Sequence, residues 1–228
     1  GLDAAMISVV IPTLNAAATL GRTLAPLVPA AVDGLVREVV VADGGSSDET
    51  LEIAEDAGAN IVAAEAGRGA QLAAGCAAAK GEWLLVLHAD TTLEDSWAAE
   101  AARHIARDGG RAAYFRFALD DHGLAPRLWE RGVAARCRML GLPYGDQGLL
   151  ISRALYDEVG GFRPLPLMED VDLARRLKGR LVPLAARAVT SAERYRRDGY
   201  LGRTFRNATI LARYLAGADP ERLARAYG

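Results

Sequence analysis

The chain holds only two cysteines, Cys76 and Cys137. Two distant cysteines give neither a disulfide framework nor a metal-binding spacing, which fits a reducing compartment. No apolar stretch approaches the ~18–20 residues that span a bilayer. No secretory signal precedes the first apolar run, and Met6 reads as the natural start. A cytoplasmic protein is expected. The formal net charge is only -2, so the polyelectrolyte signature of a nucleic-acid partner is missing. There is no P-loop. Gly67-Arg68-Gly69 falls short of the dinucleotide fingerprint and follows the third strand, not the first, which argues against NAD. No internal repeat, low-complexity tract or linker divides the chain.

What is present suits one α/β domain over residues 1–228, with 51% hydrophobic content. The chain is organised around Gly81 to Thr92. Trp83 to Leu87 is a short apolar run of the kind buried on both faces of a parallel sheet. His88-Ala89-Asp90 follows at once, so two polar side chains emerge at the carboxyl end of a strand, where open α/β sheets bind ligands. Asp90 is a hard oxygen donor suited to Mg²⁺ or Mn²⁺ carrying a diphosphate, although it could simply cap the strand end.

In order, Ile7 to Ile11 predicts a strand that Pro12 must stop, since proline cannot continue a central strand. Ala16 to Val28 predicts a helix closed by Pro29. Val36 to Val41 is the next strand, followed by Ala42-Asp43-Gly44-Gly45-Ser46-Ser47-Asp48, where Ser46 or Ser47 can cap a helix over Asp48 to Ala57. A strand at Asn60 to Ala64 and a helix at Ala70 to Ala79 complete a βαβαβαβ pattern. That alternation implies a doubly wound, mostly parallel sheet with right-handed crossovers. The nucleotide-binding half spans about 6–95, the other half about 96–190, and a helical C-terminal extension the rest. In that second half, helices are expected over Ser96 to Arg107, Leu124 to Leu140 and Met168 to about Lys178. Strands are expected over Arg111 to Leu119 and Gly148 to Ser152, with amphipathic helices over Tyr200 to Leu215 and Pro220 to Tyr227.

Asp43, Arg68, Asp90 and the Glu169-Asp170 pair each sit at a strand exit or in a Gly/Pro-rich loop. Asp43 could accept hydrogen bonds from a base or ribose, Arg68 could offset phosphate charge, and Asp170 could be a general base. Each has an ordinary reading beside it. Asp43 can brace its turn, Arg68 can be a surface charge, and acidic residues suit a first helical turn. Together, at separate strand-exit loops, they point to a site. His104 and His122, and the three tryptophans, read as core or surface residues, with Trp129 the best exception as a sugar platform.

Six stretches resemble the family 2 glycosyltransferases of the GT-A fold: Val10-Ile11-Pro12-Thr13-Leu14-Asn15, Val41 to Thr50, Gly67-Arg68-Gly69, Leu87-His88-Ala89-Asp90-Thr91, Gly160-Gly161-Phe162 and Glu169-Asp170. More narrowly, Gly145-Asp146-Gln147-Gly148, Pro166 to Leu173 and Thr190-Ser191-Ala192 resemble the radical SAM/selenodomain-associated transferases, which implies small-molecule glycosylation. The resemblance implies a GT-A-like fold and a metal-dependent, inverting transfer from a nucleotide-diphosphate sugar, UDP being usual, to an acceptor hydroxyl. It places Pro12, Thr13, Asn15, Asp43 and Gly44 at the nucleotide and Arg68 near its diphosphate. His88, Ala89 and Asp90 fall on the donor side, with Asp90 as the metal ligand. Gly145, Asp146 and Gln147 fall on an acceptor loop, and Asp170 is the base with Glu169 beside it.

One departure stands out: the first Asp of the family's Asp-x-Asp is His88 here. A neutral imidazole brings no negative charge, so Mg²⁺ affinity is expected to fall. Glu169 or Asp172 remain open as the base, because residues three apart share a helix face. Arginine dominates beyond Arg187, and Arg194, Arg196 and Arg197 could close over a diphosphate, touch anionic lipid at the membrane periphery, or form a solvated face. The helix over Tyr200 to Leu215 could make a homodimer interface. The acceptor stays open between a small molecule and a lipid-linked one. Two rivals are a nucleotidyltransferase, against which Pro12-Thr13-Leu14-Asn15 replaces the expected Gly-rich loop, and a nucleotide-sugar-binding protein without catalysis.

Overall fold

The computed structural model describes residues 6–121, 123–140, 142–143, 145–191 and 209–227. Eight strands form one sheet: β1 (Ile7–Thr13), β2 (Val36–Asp43), β3 (Asn60–Ala63), β4 (Trp83–Val86), β5 (Thr91–Leu93), β6 (Ala112–Leu119), β7 (Leu149–Ser152) and β8 (Leu181–Thr190), in the order β3-β2-β1-β4-β7-β6-β8-β5. The first half, β3-β2-β1-β4, is wholly parallel. β7 enters antiparallel to both β4 and β6, and β5 is antiparallel to β8, while β6 and β8 run parallel. The sheet is therefore α/β and doubly wound, with a mixed second half.

The helices are α1 (Ala17–Leu24), α2 (Leu27–Val32), α3 (Thr50–Asp56), α4 (Arg68–Ala78), α5 (Trp97–Arg107), α6 (Leu124–Leu140), α7 (Arg153–Glu158), α8 (Glu169–Arg176), α9 (209–215) and α10 (Pro220–Tyr227). Strand alternation sends side chains to two faces. Val9, Ile11, Leu85 and Leu87 pack under Leu20 and Leu24 of α1 and Trp97 of α5. Val10, Val40, Leu84 and Val86 pack on the other side against Leu72 and Cys76 of α4, with α7 and α8. Three layers result, and β4 is buried along its whole length. Gly75 lets α4 lie close on the sheet: a Cβ there would stand 2.6 Å from Val10 Cγ1. The far end of α4 is fastened by Arg153, whose guanidinium donates to the carbonyls of Cys76, Ala79 and Gly81.

Three local expectations are corrected. β1 runs through Pro12 to Thr13, in register with Ala42 and Asp43 of β2. The Val10 carbonyl accepts from Leu87 N–H and the Thr13 carbonyl from Gly44 N–H, so these two face opposite neighbours. Alternation then turns Pro12 toward β4, whose pairing has already ended at Val10–Val86. Its missing N–H costs no ladder bond there. The single helix expected over Ala16 to Val28 is instead α1 and α2, and Pro29 sits in the first turn of α2, where a proline is tolerated. Neither Ser46 nor Ser47 caps α3, which starts after Glu49 with no side-chain cap.

Candidate active site

At the carboxyl edge of β1 and β2, Asp43 is 5% exposed. Its Oδ1 accepts from the hydroxyls of Thr13 and Ser46, and its Oδ2 from the backbone N–H groups of Gly45 and Ser46. Burial alone would raise the Asp43 carboxyl; these hydrogen bonds outweigh it and hold the group below the usual carboxylate range. Both oxygens are thus engaged in bracing the turn. Asn15 adopts a left-handed φ of 52°, accepts from Ser47 N–H at 2.8 Å, and gives its own N–H to Ser46 Oγ at 2.9 Å. The β1 and β2 exits are therefore one interlocked loop pair, with Gly44 packed against the Gln71 side chain.

The second group forms around His88-Ala89-Asp90. Thr23 of α1 donates to the Ala89 carbonyl and anchors this loop from below. Gly145, Asp146 and Gln147 make a 3-10 turn that lies against it. The Gly145 backbone N–H donates to Asp170 Oδ2 at 2.7 Å, and a Cβ at Gly145 would collide with the His88 ring. On its other side the turn is held by Thr190, whose hydroxyl reaches the Asp146 carbonyl and the Thr91 hydroxyl, each at 3.5 Å. Gln147 is buried and reaches back to the Phe115 carbonyl. Asp170 stands in the first turn of α8, preceded by Met168 in a left-handed conformation with φ 65°. Such backbone strain in a non-glycine residue gathers at functional sites.

Arg68, first residue of α4, is the cation common to these groups. It lies 3.5 Å from Glu169 Oε1, with Glu169 3% and Arg68 47% exposed at the side chain. Burial works against the Arg68 charge, but Glu169, Asp170, Asp90 and Asp146 together favour it and raise its pKa. Burial pushes Glu169 up to about 7, the Asp170 charge adds to this, and Arg68 opposes it. Asp146 is pushed up to about 6 by burial first, with Asp170 and Asp90 adding and Arg136 and Arg68 opposing. A cavity of ≈ 30 Å³ opens between His88, Gly145, Glu169 and Asp170 and runs under Leu72 and Leu173. Asp90 lines a further cleft of ≈ 480 Å³ with Thr92, Glu94, Asp120 and Ser191.

Residues 8–165 match the model of the glycosyl transferase family 2. That stretch is well over half of the chain.

The chain belongs to the family 2 glycosyltransferases.

It is 39% identical over 108 residues to a PGL/p-HBAD biosynthesis glycosyltransferase of Mycobacterium bovis, an alignment covering 42% of this chain and 39% of that protein. The chain thus spans about two fifths of that relative's length. The fold matches glucosyl-3-phosphoglycerate synthase from Mycobacterium tuberculosis in complex with Mn²⁺, UDP and phosphoglyceric acid, with a TM-score of 0.58 and 25% identity over 78% of this chain and 67% of that one. It also matches the same enzyme with Mn²⁺, uridine-diphosphate-glucose and phosphoglyceric acid, at a TM-score of 0.57 and 25% identity over 79% and 71%. These neighbours carry the GT-A-like sheet expected from the motifs.

Within this glycosyltransferase frame the three acidic residues of α8 separate. Asp172 does not face the crevice. It is paired with Arg176 at 2.6 Å and Arg163 at 3.3 Å, which ties α8 to the loop that follows Gly160-Gly161-Phe162. Glu169 and Asp170 do line the crevice, so a shared helix face does not decide the base: residues in the first turn also follow the entry of the chain. Gln71 was not singled out by sequence. Buried in α4, it donates to the carbonyls of Thr13 and Ala42 and clips the exits of β1 and β2 together. Its only signal is a lone polar residue within Gly69-Ala70-Gln71-Leu72-Ala73.

The remaining candidates resolve plainly. His104 is buried, its Nε2 2.9 Å from the Arg111 carbonyl, with Trp83 edge-on. Trp97 is core, and Trp129, half-buried, packs against the Tyr114–Phe117 cluster. Both cysteines are free and buried. His122, Arg194, Arg196, Arg197, Leu201 and Phe205 lie outside the described residues. Within α9, Ile210 and Leu211 are each 8% exposed, with Leu211 packed on Leu142, Val171 and Ala174 of the same chain. That part of the face is not open to a second copy. Among the described residues no helix is long and apolar enough to cross a membrane.

Proposed function

We propose that this glycosyltransferase transfers a sugar from a nucleotide-diphosphate donor, UDP-glucose or a similar UDP-sugar, to an acceptor hydroxyl with inversion. The single observation that carries the reading is the meeting of the His88–Asp90 loop and Asp170 across Gly145, with Arg68 facing both carboxylates. A donor loop and a base must converge on one carbon for a single displacement. The structural neighbours with Mn²⁺ and UDP-glucose support the donor class.

The base and sugar of the nucleotide lie along Pro12, Thr13, Asn15, Asp43 and Gly44. Because Asp43 already accepts four hydrogen bonds, a base N–H would displace the Ser46 hydroxyl, the donor freest to rotate. Arg68 turns from Glu169 to the diphosphate, as a half-exposed guanidinium can. Mn²⁺ or Mg²⁺ fits beside Asp90, among carboxylates that repel one another, and when bound it neutralises charge on the departing diphosphate.

Asp170 takes the proton of the acceptor hydroxyl. The acceptor oxygen bonds to the anomeric carbon as the bond from that carbon to the phosphate oxygen breaks, and the nucleoside diphosphate leaves with the electron pair. Glu169, pushed up to about 7 by burial and then by the Asp170 charge, shares its proton near neutral pH and so lessens the negative charge beside Asp170. The acceptor is a small molecule or a lipid-linked alcohol, and the reaction is placed in the cytoplasm or at the membrane periphery.

The test is UDP release from UDP-glucose with Mn²⁺ across a panel of hydroxyl acceptors, beside calorimetry of UDP binding. The reading requires metal-dependent binding lost in Asp90→Ala, and release lost in Asp170→Asn while binding persists. UDP binding without release from any acceptor or water would leave a nucleotide-sugar-binding protein instead.

A further inference from the structure

The loop after β4 carries one carboxylate, Asp90, because His88 stands where the motif would place another. We propose that Asp146 is the second carboxylate ligand of the divalent cation that Asp90 holds on the donor diphosphate. The inference rests on the proposed metal-dependent transfer and reassigns a residue that the resemblance put on the acceptor loop.

Four observations converge on Asp146. Its Oδ1 is buried and has no hydrogen-bond partner among the described residues. A carboxylate oxygen kept from water without a donor is costly, and a cation offsets that cost. The turn that carries it is fixed on both sides of the His88–Asp90 loop. Gly145 abuts the His88 ring and is bonded to Asp170, while Thr190 links the Asp146 carbonyl to Thr91, the residue after Asp90. Asp90 and Asp170 both face Asp146 with like charge, against Arg136 and Arg68 as counter-charges. Finally, Arg68 stands 3.5 Å from the buried Oε1 of Glu169 and also answers the charges of Asp170, Asp90 and Asp146, so one described cation serves several carboxylates.

Two carboxylates do not make a cage. An ion of the Mg²⁺ or Mn²⁺ type commonly takes one or two carboxylates and fills its shell with phosphate oxygens and water. The arrangement therefore binds metal weakly alone and tightly with nucleotide, and Asp146 restores the charge that His88 withdraws.

The experiment is Mn²⁺ titration at saturating UDP, following the electron paramagnetic resonance signal of free Mn²⁺, with circular dichroism melts to confirm folding. Asp146→Asn should weaken Mn²⁺ by about tenfold or more, and Asp90→Asn should do the same, with UDP affinity in the absence of metal held or improved. Asp146→Cys then separates ligation from charge. With UDP and Cd²⁺ it should show a thiolate-to-cadmium ultraviolet band absent from the wild type, whose own cysteines are buried. Mn²⁺ affinity within twofold of wild type in Asp146→Asn overturns the inference. So does weakened Mn²⁺ binding without the Cd²⁺ band, which would show that only charge matters. If folded wild-type protein shows no UDP-dependent Mn²⁺ binding, the metal-dependent reading itself fails, and this inference with it.

Discussion

Gly145 gives its backbone N–H to Asp170 Oδ2 at 2.7 Å, and beside His88 it has no space for even a methyl group. The His88–Asp90 loop and the first turn of α8 are thus spaced by a single hydrogen atom at Cα. Gly145→Ala should push the His88 ring or the turn aside and lower UDP release about 10- to 100-fold, since a misplacement of about 1 Å can cost that much. A turnover assay beside a thermal melt checks it. Unchanged turnover in a folded variant would show that the spacing is not critical.

Two neighbouring aspartates should fail in opposite ways. Asp170→Asn should keep stability and UDP affinity but lose about 10²- to 10⁴-fold in turnover, the usual worth of a general base. Asp172→Asn should instead lose stability, by about 3 kcal/mol, because Arg176 and Arg163 are left short of their partner. Urea unfolding and kinetics on both variants separate the roles. A stable, inactive Asp172→Asn would reverse the assignment.

Gln71→Ala leaves the Thr13 and Ala42 carbonyls without their buried donor. A cost of about 1–3 kcal/mol is expected, with a fall in melting temperature of several degrees. UDP affinity should drop as well, because the clip holds the β1 and β2 exits, along which the nucleotide is proposed to lie. Calorimetry that showed a stability loss alone would confine Gln71 to the scaffold.

Glu169 makes folding dependent on pH. Its folded pKa of about 7 lies above the ordinary 4.5, through burial and then the charge of Asp170. Below about 4.5 the group is protonated in both states and costs nothing. As pH rises through the window to about 7, the unfolded chain releases the proton while the fold holds it, so stability falls; above that the cost levels off. Glu169→Gln should therefore gain on the wild type across this window, by at most about 3 kcal/mol. Denaturant midpoints from pH 4.5 to 7.5 test it, and a pH-independent difference would refute it.

The first half of the fold was legible because its strands are apolar runs ended by Pro, Gly or Asp, and its helices are long enough to show their period. β8 was not. Ala185, Ala186 and Ala188 are poor strand formers, and only burial at Leu184, Ala186, Ala188 and Thr190 reveals the alternation. β5 has three residues and α7 six, too short for either period. Pro12 misled because its effect depends on which neighbour strand is still present. At the site, Asp43, Arg68, Asp90 and Asp170 could be picked by type and position. That Asp172 is a clamp and Gln71 a clip depends on contacts across more than one element, which no local pattern encodes.

The hold of Arg153 on the end of α4 has a kinetic corollary. With that end moored to the β4 approach and Gly75 seated on β1, α4 cannot slide toward or away from an arriving diphosphate. The adjustment falls to the torsions of the Arg68 side chain, which relax in picoseconds to nanoseconds when exposed. If Arg68 meets the donor diphosphate as proposed, that capture is a swing of one arm on a fixed mast, and it should not limit the rate of the cycle.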